Sequence, residues 1–302
     1  MNRKIRIGSR DSKLAVIQAN LIKCEIEKNN PGMEVELVTM KTTGDLILHK
    51  NLDQIGGKGL FVKELDIALL ENRVDITVHS LKDMPMIQHE LLPIIGYSRR
   101  EDPRDGIIFK PGSTKDWDGD WSKIEGIIGS SSKRRTIQLQ RLLPKCTFQG
   151  IRGNVQTRLR KLEEEPYEAT VLAAAGLKRL HLESRIGKLF STDEILPAAG
   201  QGILAVQGRK GEDFTYLHKV CCEESRIIAQ AERSFVRCLD GGCSSPVAAY
   251  ATKTGTQLQL QGLYYEEYSE HYAIDVITGE QDEAEQLGER LANRMRKAWE
   301  HV

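Results

Sequence analysis

The sequence carries no net charge: 43 Lys and Arg offset 43 Asp and Glu. Without a global field, neither a nucleic-acid backbone nor an anionic membrane is selected for, so any anion must be met by locally placed arginines and lysines. No helix-turn-helix pattern or basic face points to a DNA-binding regulator. Long apolar runs are also missing. The longest, Val171 to Leu177, is far shorter than the ~20 residues that span a bilayer. The basic N-terminus, Met1 to Arg10, leads into no apolar signal core, so a secreted binding protein is not expected. The six cysteines (24, 146, 221, 222, 238 and 243) form no CxxC pair. Such usage suits a reducing cytoplasm, and His218-x-x-Cys221-Cys222 has no second ligand pair, so no metal is expected.

What is present is a repeated strand-helix rhythm. Ile5 and Ile7 close a short strand, and Ser12 stands where an N-cap belongs before a helix over Lys13 to Lys28. Leu14, Ile17, Leu21, Ile22 and Ile26 supply its apolar stripe. Strands follow at Val35–Met40 and Val74–Val78, separated by a glycine-rich loop (Gly56, Gly57, Gly59) and a helix over Leu60 to Asn72. That alternation predicts a largely parallel sheet. The glycine loop lacks Walker or GxGxxG spacing and reads as a flexible lid. Residues 99–105, Arg-Arg-Glu-Asp-Pro-Arg-Asp, read as a solvated hinge, and Lys110 to Lys123 as a surface loop. The rhythm restarts with strands at Ile124–Ile128, Cys146–Gly150 and Glu168–Ala173 and helices from Lys133 to Leu143 and through Glu163. Leu204–Val206 is expected to cross back and add a strand to the first lobe. From Glu223 the pattern changes to helix, three strands (Val247–Lys253, Gln257–Tyr265, Tyr272–Thr278) and helix, a small antiparallel α+β unit.

Chemistry concentrates where strands end. Val74–Val78 runs into His79, Ser80, Lys82 and Asp83 before Pro85 stops regular structure. Ligands bind at the carboxyl ends of strands in α/β sheets, so a carboxylate beside an ammonium there is a candidate reaction centre. Capping of a turn is the competing role for Asp83. Arg10 and Ser12 in the first lobe, and Ser130, Ser131, Ser132, Arg134 and Arg135 in the second, place hydroxyls and cations at strand-to-helix turns. Helix N-termini and guanidinium forks suit carboxylates or phosphates. Arg152, Arg158 and Arg179 add to the set, so the expected ligand is small and carries several negative groups. Cys243 stands between glycine and Ser-Ser-Pro with no His or Asn in protease spacing, so it reads as an incidental buried thiol or a point of covalent attachment rather than as a hydrolytic nucleophile.

Several stretches, in order, resemble the porphobilinogen deaminase (hydroxymethylbilane synthase) family. They are Arg6-Ile-Gly-Ser-Arg-Asp-Ser12, Gly56-Gly-Lys-Gly-Leu-Phe-Val-Lys-Glu64, Val78-His-Ser-Leu-Lys-Asp-Met-Pro85 and Arg100-Glu-Asp-Pro-Arg-Asp105. Gly129-Ser-Ser-Ser-Lys-Arg-Arg135, Ile151-Arg-Gly-Asn-Val155, Ala174-Ala-Gly-Leu-Lys-Arg179, Pro197-Ala-Ala-Gly-Gln-Gly202 and Gly241-Gly-Cys243 complete the set. Thr43, Gln54 and Ser244-Ser245 depart from the usual family pattern.

The resemblance implies an α/β protein of two periplasmic-binding-protein-like lobes around a central cleft, plus a small C-terminal α+β domain. The expected boundaries are 1–98 with 203–220, 103–198, and 223–302. It implies a transferase that joins four porphobilinogen units head to tail on a dipyrromethane cofactor held by a thioether to Cys243. Each step loses ammonia through a cationic azafulvene, and water finally releases hydroxymethylbilane for haem biosynthesis. By resemblance, Asp83 is catalytic, and Lys82, Ser80, Ser132, Arg134 and Arg135 hold the cofactor. Arg10, Ser12, Arg152, Arg158 and Arg179 then hold substrate, while Lys58, Phe61, Gln201 and Arg233 serve the lid or guide the chain. A cytoplasmic monomer is expected.

Overall fold

A computed structural model describes residues 4–43, 62–113, 119–239, 241, 246–266 and 270–298. In the first lobe, strands β1 (Lys4–Arg10) and β2 (Glu34–Met40) flank helix α1 (Lys13–Asn29); helix α2 (Lys63–Leu70), β3 (Ile76–Ser80) and β4 (Ile94–Tyr97) follow. The second lobe holds β5 (Asp105–Phe109), β6 (Gly126–Gly129), α3 (Lys133–Leu142), β7 (Cys146–Gln149), α4 (Val155–Glu164), β8 (Ala169–Ala173), α5 (Ala174–Arg179) and β9 (Lys188–Leu189). The chain then returns through β10 (Leu204–Gly208).

The two five-stranded sheets share one plan, β2-β1-β3-β10-β4 and β7-β6-β8-β5-β9. In each, the first strand lies parallel between the second and third. The fourth place is taken by the strand that has just crossed from the other lobe, and it runs antiparallel. Leu204 pairs with Ser80, and Asp105 with Ala173. The sheets are therefore mixed rather than largely parallel. A crossing strand enters at the cleft edge, where β3 and β8 end, so it can only run back against them.

The stripe of α1 is rotated from its expected position. Ala15, Gln18, Ala19, Ile22 and Ile26 are buried, whereas Leu21 is 46 % exposed. Small Ala15 and Ala19 let the helix lie close to the sheet, and Leu14 instead reaches Gly176 of the opposite lobe. Ser12 does cap the helix, accepting from the Ala15 N–H. Helix α2 is shorter than expected, and Asn72 turns the chain with φ 55°. The loop before β6 is not wholly surface: Trp121 stacks on buried Phe190 at 4.7 Å between centroids.

The third unit consists of α6 (Glu223–Cys238), antiparallel strands β11 (Val247–Thr254), β12 (Gln257–Glu266) and β13 (His271–Glu280), and α7 (Ala284–Lys297). Gly288 permits the close helix crossing, since a Cβ there would lie 2.5 Å from the Ala231 carbonyl. Phe235 is fully buried in the core of this unit. Removing a ring of that size costs about 3–5 kcal/mol. The same core takes in Leu81, Met84 and Ile203, so the third unit and the turn after β3 form one apolar body.

The charged crossover at 99–105 is only partly solvated: Arg99 is exposed, but Arg100 and Asp105 turn inward. Arg100 pairs with fully buried Glu232 at 2.6 Å, and Asp105 is itself fully buried. These charges tolerate burial because each has opposite charge within hydrogen-bond reach.

Candidate active site

The turn after β3 alternates burial over four residues. Leu81 and Met84 point into the core, Lys82 is partly buried, and Asp83 is exposed. A single 3-10 turn, Leu81–Asp83, enforces this, closed by the Met84 N–H donating to the Leu81 carbonyl at 3.1 Å. The Leu81 N–H in turn donates to the Ile203 carbonyl. From behind, Arg233 of α6 donates to the carbonyls of Leu81, Met84, Pro85 and Met86. The backbone is therefore held at both ends while the Asp83 carboxylate faces outward. Asp83 lines a cavity of about 30 Å³ with Arg10, Gln18, His79 and Ser80. That is enough to admit water. Ser80 is oriented by Gln18, whose Nε2 donates to its Oγ at 2.9 Å. His79 is buried against Thr77, at 2.9 Å, and burial lowers its pKa to about 4 despite a hydrogen bond donated to Gln207, so the ring is neutral at pH 7.

Opposite stands the cationic group of the second lobe. Ser132 caps α3 by accepting from the Arg135 N–H. Arg134 and Arg135 follow on its first turn, and their Nη2 groups each donate to Asp105 at 2.8 Å. Arg134 also donates to the Leu196 carbonyl. Burial would raise Asp105, but the two guanidinium groups hold it far below the ordinary carboxylate range. Gln201 completes the cluster: its Nε2 donates to Asp105 Oδ1 at 3.0 Å, and its Oε1 accepts from Lys82 at 3.4 Å. Burial lowers Lys82 to about 8; Asp83 and Asp105 act against this and the paired arginines with it.

Arg158, at the start of α4, donates to the Gly153 carbonyl at 2.8 Å. Burial lowers it to about 10, with Arg135 and Arg152 adding to the fall and Asp83 opposing it. Lys82 of the first lobe and Asp105 of the second both bond Gln201, so both lobes front one cleft. Arg179 donates to the Gly202 carbonyl at 2.6 Å, on the return crossover, and burial lowers it to about 10.

Of the expected residues, Asp83, Ser80 and Arg10 line one cavity, Lys82 reaches Arg134 and Arg135 through Gln201 and Asp105, Arg158 feels the charges of Arg135, Asp83 and Arg152, and Ser12 and Ser132 cap the helices that follow their strands. Arg233 differs from the expectation of chain guidance. It is buried behind the Asp83 turn, where it donates to four backbone carbonyls. Cys243, Lys58 and Phe61 lie outside the described residues. Sequence reasoning missed Asp105, Gln18 and Glu232. Asp105 was hidden in a charge run, and the other two sit on helix faces where polar residues ordinarily meet solvent.

Whether this site suits a polycarboxylate is testable on one atom. Arg135 is 7 % exposed, and its Nε is buried without a hydrogen-bond acceptor, as is Nε of Arg100 at the hinge. A buried guanidinium donor at the cleft with no acceptor leaves a place for an incoming carboxylate oxygen. The residues present therefore fit a ligand of that charge. Among the described residues no three His, Cys, Asp or Glu side chains gather as a metal site, and no helix is long and apolar enough to cross a membrane.

The family models and the sequence relatives agree on one family. Residues 5–216 match the model described as "Porphobilinogen deaminase, dipyromethane cofactor binding domain", and residues 227–297 match "Porphobilinogen deaminase, C-terminal domain". The porphobilinogen deaminase of Ruminiclostridium josui is 54 % identical over 296 residues, covering 98 % of this chain and 99 % of the relative. That of Pelobacter propionicus is 40 % identical over 307 residues, covering 97 % and 94 %. Among solved structures, the benzoate-bound effector-binding domain of BenM aligns with a TM-score of 0.41 at 15 % identity, covering 73 % of this chain and 89 % of that one.

Proposed function

The chain belongs to the porphobilinogen deaminase family, enzymes of tetrapyrrole biosynthesis with a dipyrromethane cofactor, and from that premise we propose how its own residues divide the work. Lys82, Ser132, Arg134 and Arg135 hold the carboxylates of the dipyrromethane, with Ser80 at the rim and Cys243 as the thioether anchor. Arg10, Ser12, Arg152, Arg158 and Arg179 hold the acetate and propionate of incoming porphobilinogen. The bound cofactor supplies a pyrrole primer on which the product grows.

Asp83 acts at the reacting carbon. As ammonia leaves porphobilinogen, positive charge develops on the pyrrole side chain, and an adjacent carboxylate held at fixed distance stabilises it. The same oxygen can take and return a proton as the new bond forms. What supports this assignment is the geometry of the turn: Leu81 and Met84 are locked in the core, so the exposed Asp83 needs no rearrangement to face the cationic lobe. The Arg158 environment, in which Asp83 is felt across the cleft, supports the same pairing of lobes.

The proposal extends to three units, 1–98 with 203–220, 103–198 and 223–302, a division supported by sheet membership. It also takes the enzyme as a cytoplasmic monomer; the unpaired thiols at 24, 146, 221, 222 and 238 are in keeping with a reducing compartment. Light scattering of the purified chain tests the monomer.

Intact-mass measurement tests the site. The purified chain should exceed its polypeptide mass by one dipyrrole, and Cys243→Ser should not. A parent chain of bare polypeptide mass, even after incubation with porphobilinogen, overturns the assignment; an adduct on Cys243→Ser moves the anchor elsewhere.

A further inference from the structure

One carboxylate at the centre of the cationic cluster has no part in the roles above. Asp105 is the first residue of β5, directly after the outgoing crossover, and is fully buried. Its Oδ2 accepts from Arg134, and its Oδ1 from Arg135 and Gln201. Gln201 lies on the returning crossover. Its Nε2 also donates to the Pro103 carbonyl at 2.6 Å, and its Oε1 accepts from Lys82. Asp105 therefore touches both arginines directly and reaches Lys82 through one amide.

The side chains of Arg134 and Arg135 are only 6 % and 8 % exposed. Two guanidinium groups so enclosed repel one another, and an unpaired buried charge is strongly destabilising. Ligand carboxylates cannot supply that pairing before the ligand arrives. We propose that Asp105 is a positioning residue for the cofactor-holding cations: a resident carboxylate that fixes Arg134 and Arg135, and Lys82 through Gln201, before cofactor carboxylates enter. This rests on the cofactor-holding role proposed above for those three cations.

The geometry explains why a fixed anion does not block an anionic ligand. Asp105 engages the Nη2 ends of both guanidinium groups and leaves Nε of Arg135 without an acceptor. One carboxylate against three cations also leaves the cluster net positive. The charged groups acting on Lys82 are Asp83, Asp105, Arg134 and Arg135. Loss of the Asp105 charge removes one of the two that stabilise its ammonium form.

The test compares the full-length chain, purified cofactor-free from cells making no porphobilinogen, with Asp105→Asn and Asp105→Glu. Two quantities are read: the rate of mass gain on adding porphobilinogen, and the titration of Lys82 by NMR of ¹³C-methylated lysines, assigned with Lys82→Gln. Asp105→Asn keeps the shape and loses the charge. It should load about tenfold more slowly or worse, with the Lys82 midpoint below that of the parent. Asp105→Glu keeps the charge in a shifted position and should leave the midpoint in place while still slowing loading. Loading of Asp105→Asn at the parent rate, or an unmoved Lys82 midpoint, overturns the proposal. Should Asp105→Asn lack a cooperative melt, Asp105→Glu decides, and its loading at the parent rate is the overturning result. A parent chain that gains no mass instead strikes the cofactor assignment, and the Lys82 midpoint then still judges Asp105.

Discussion

Arg233 donates from Nη2 to the Pro85 carbonyl at 2.5 Å, joining α6 of the third unit to the turn that carries Asp83 across 148 residues of chain. The same guanidinium serves the Leu81, Met84 and Met86 carbonyls at 3.4 Å. Arg233→Ala should destabilise the chain by about 2–4 kcal/mol, since buried acceptors lose their donor. It should also lower kcat more than it raises KM, because the Asp83 turn loosens while the arginines opposite stay in place. Thermal melting and steady-state kinetics check both, and unchanged kcat would separate the clamp from catalysis.

Asp83 is exposed, and when its charge is removed Asp105 remains to stabilise the Lys82 ammonium. Asp83→Asn should melt within about 0.5 kcal/mol of the parent, as surface changes usually do. Turnover should nevertheless fall by about 10²–10⁴-fold, the range for loss of a charge-stabilising or proton-transferring group. Ammonia release per enzyme is the measurement; near-parent turnover removes Asp83 from the mechanism.

Lys82 gives a pH signature. Its pKa is lowered by burial from the ordinary 10.5 to about 8, so the folded chain sheds this proton before the unfolded chain does. The unfolded state binds more protons between those values, and this residue's contribution to stability therefore rises with pH across that window. Function runs the other way, because the neutral amine no longer attracts carboxylate. Cofactor loading should fall as pH rises through about 8, and Lys82→Arg should remove that limb. A limb persisting in Lys82→Arg assigns it to another group.

Glu232 ties three strands of chain together. Its Oε2 accepts from Arg100 at 2.6 Å and the Gly200 N–H at 2.7 Å, and its Oε1 from the Ala251 N–H at 2.7 Å. Each crossover is thereby pinned to the third unit by one fully buried side chain. Glu232→Ala should cost about 3–5 kcal/mol, the range for breaking a buried pair. Denaturant unfolding measures it, and a loss below about 1 kcal/mol would mean that water replaces the carboxylate.

Local pattern was legible. The helix expected over Lys13 to Lys28 is observed over Lys13–Asn29, with Ser12 as its cap, because capping and amphipathic period are properties of adjacent residues. The strand at Leu204 and the three-stranded C-terminal pattern were legible for the same reason, whereas the return of Leu204 to the first lobe was expected from the two-lobed plan rather than from local pattern. The solvated hinge at 99–105 was not. A charge run looks the same whether it meets water or partners, and the partners of Arg100 and Asp105 stand 132 and 29 to 30 residues away. Leu21 failed similarly, since period alone cannot say which side of a helix a small-residue face lets approach the sheet.

The linear order of residues determined that a carboxylate follows the third strand, that arginines open the helices of the second lobe, and that a cysteine stands in a glycine loop. It did so because strand ends, caps and turns are short-range chemistry. Only the tertiary structure decided which charges face the cleft and which hold the frame. Arg134 and Arg135 meet Asp105, and Arg233 meets the Asp83 turn, through contacts between segments 29 to 152 residues apart. Burying a charge requires an opposite charge or a dipole beside it, and that neighbour exists only once the chain has closed on itself.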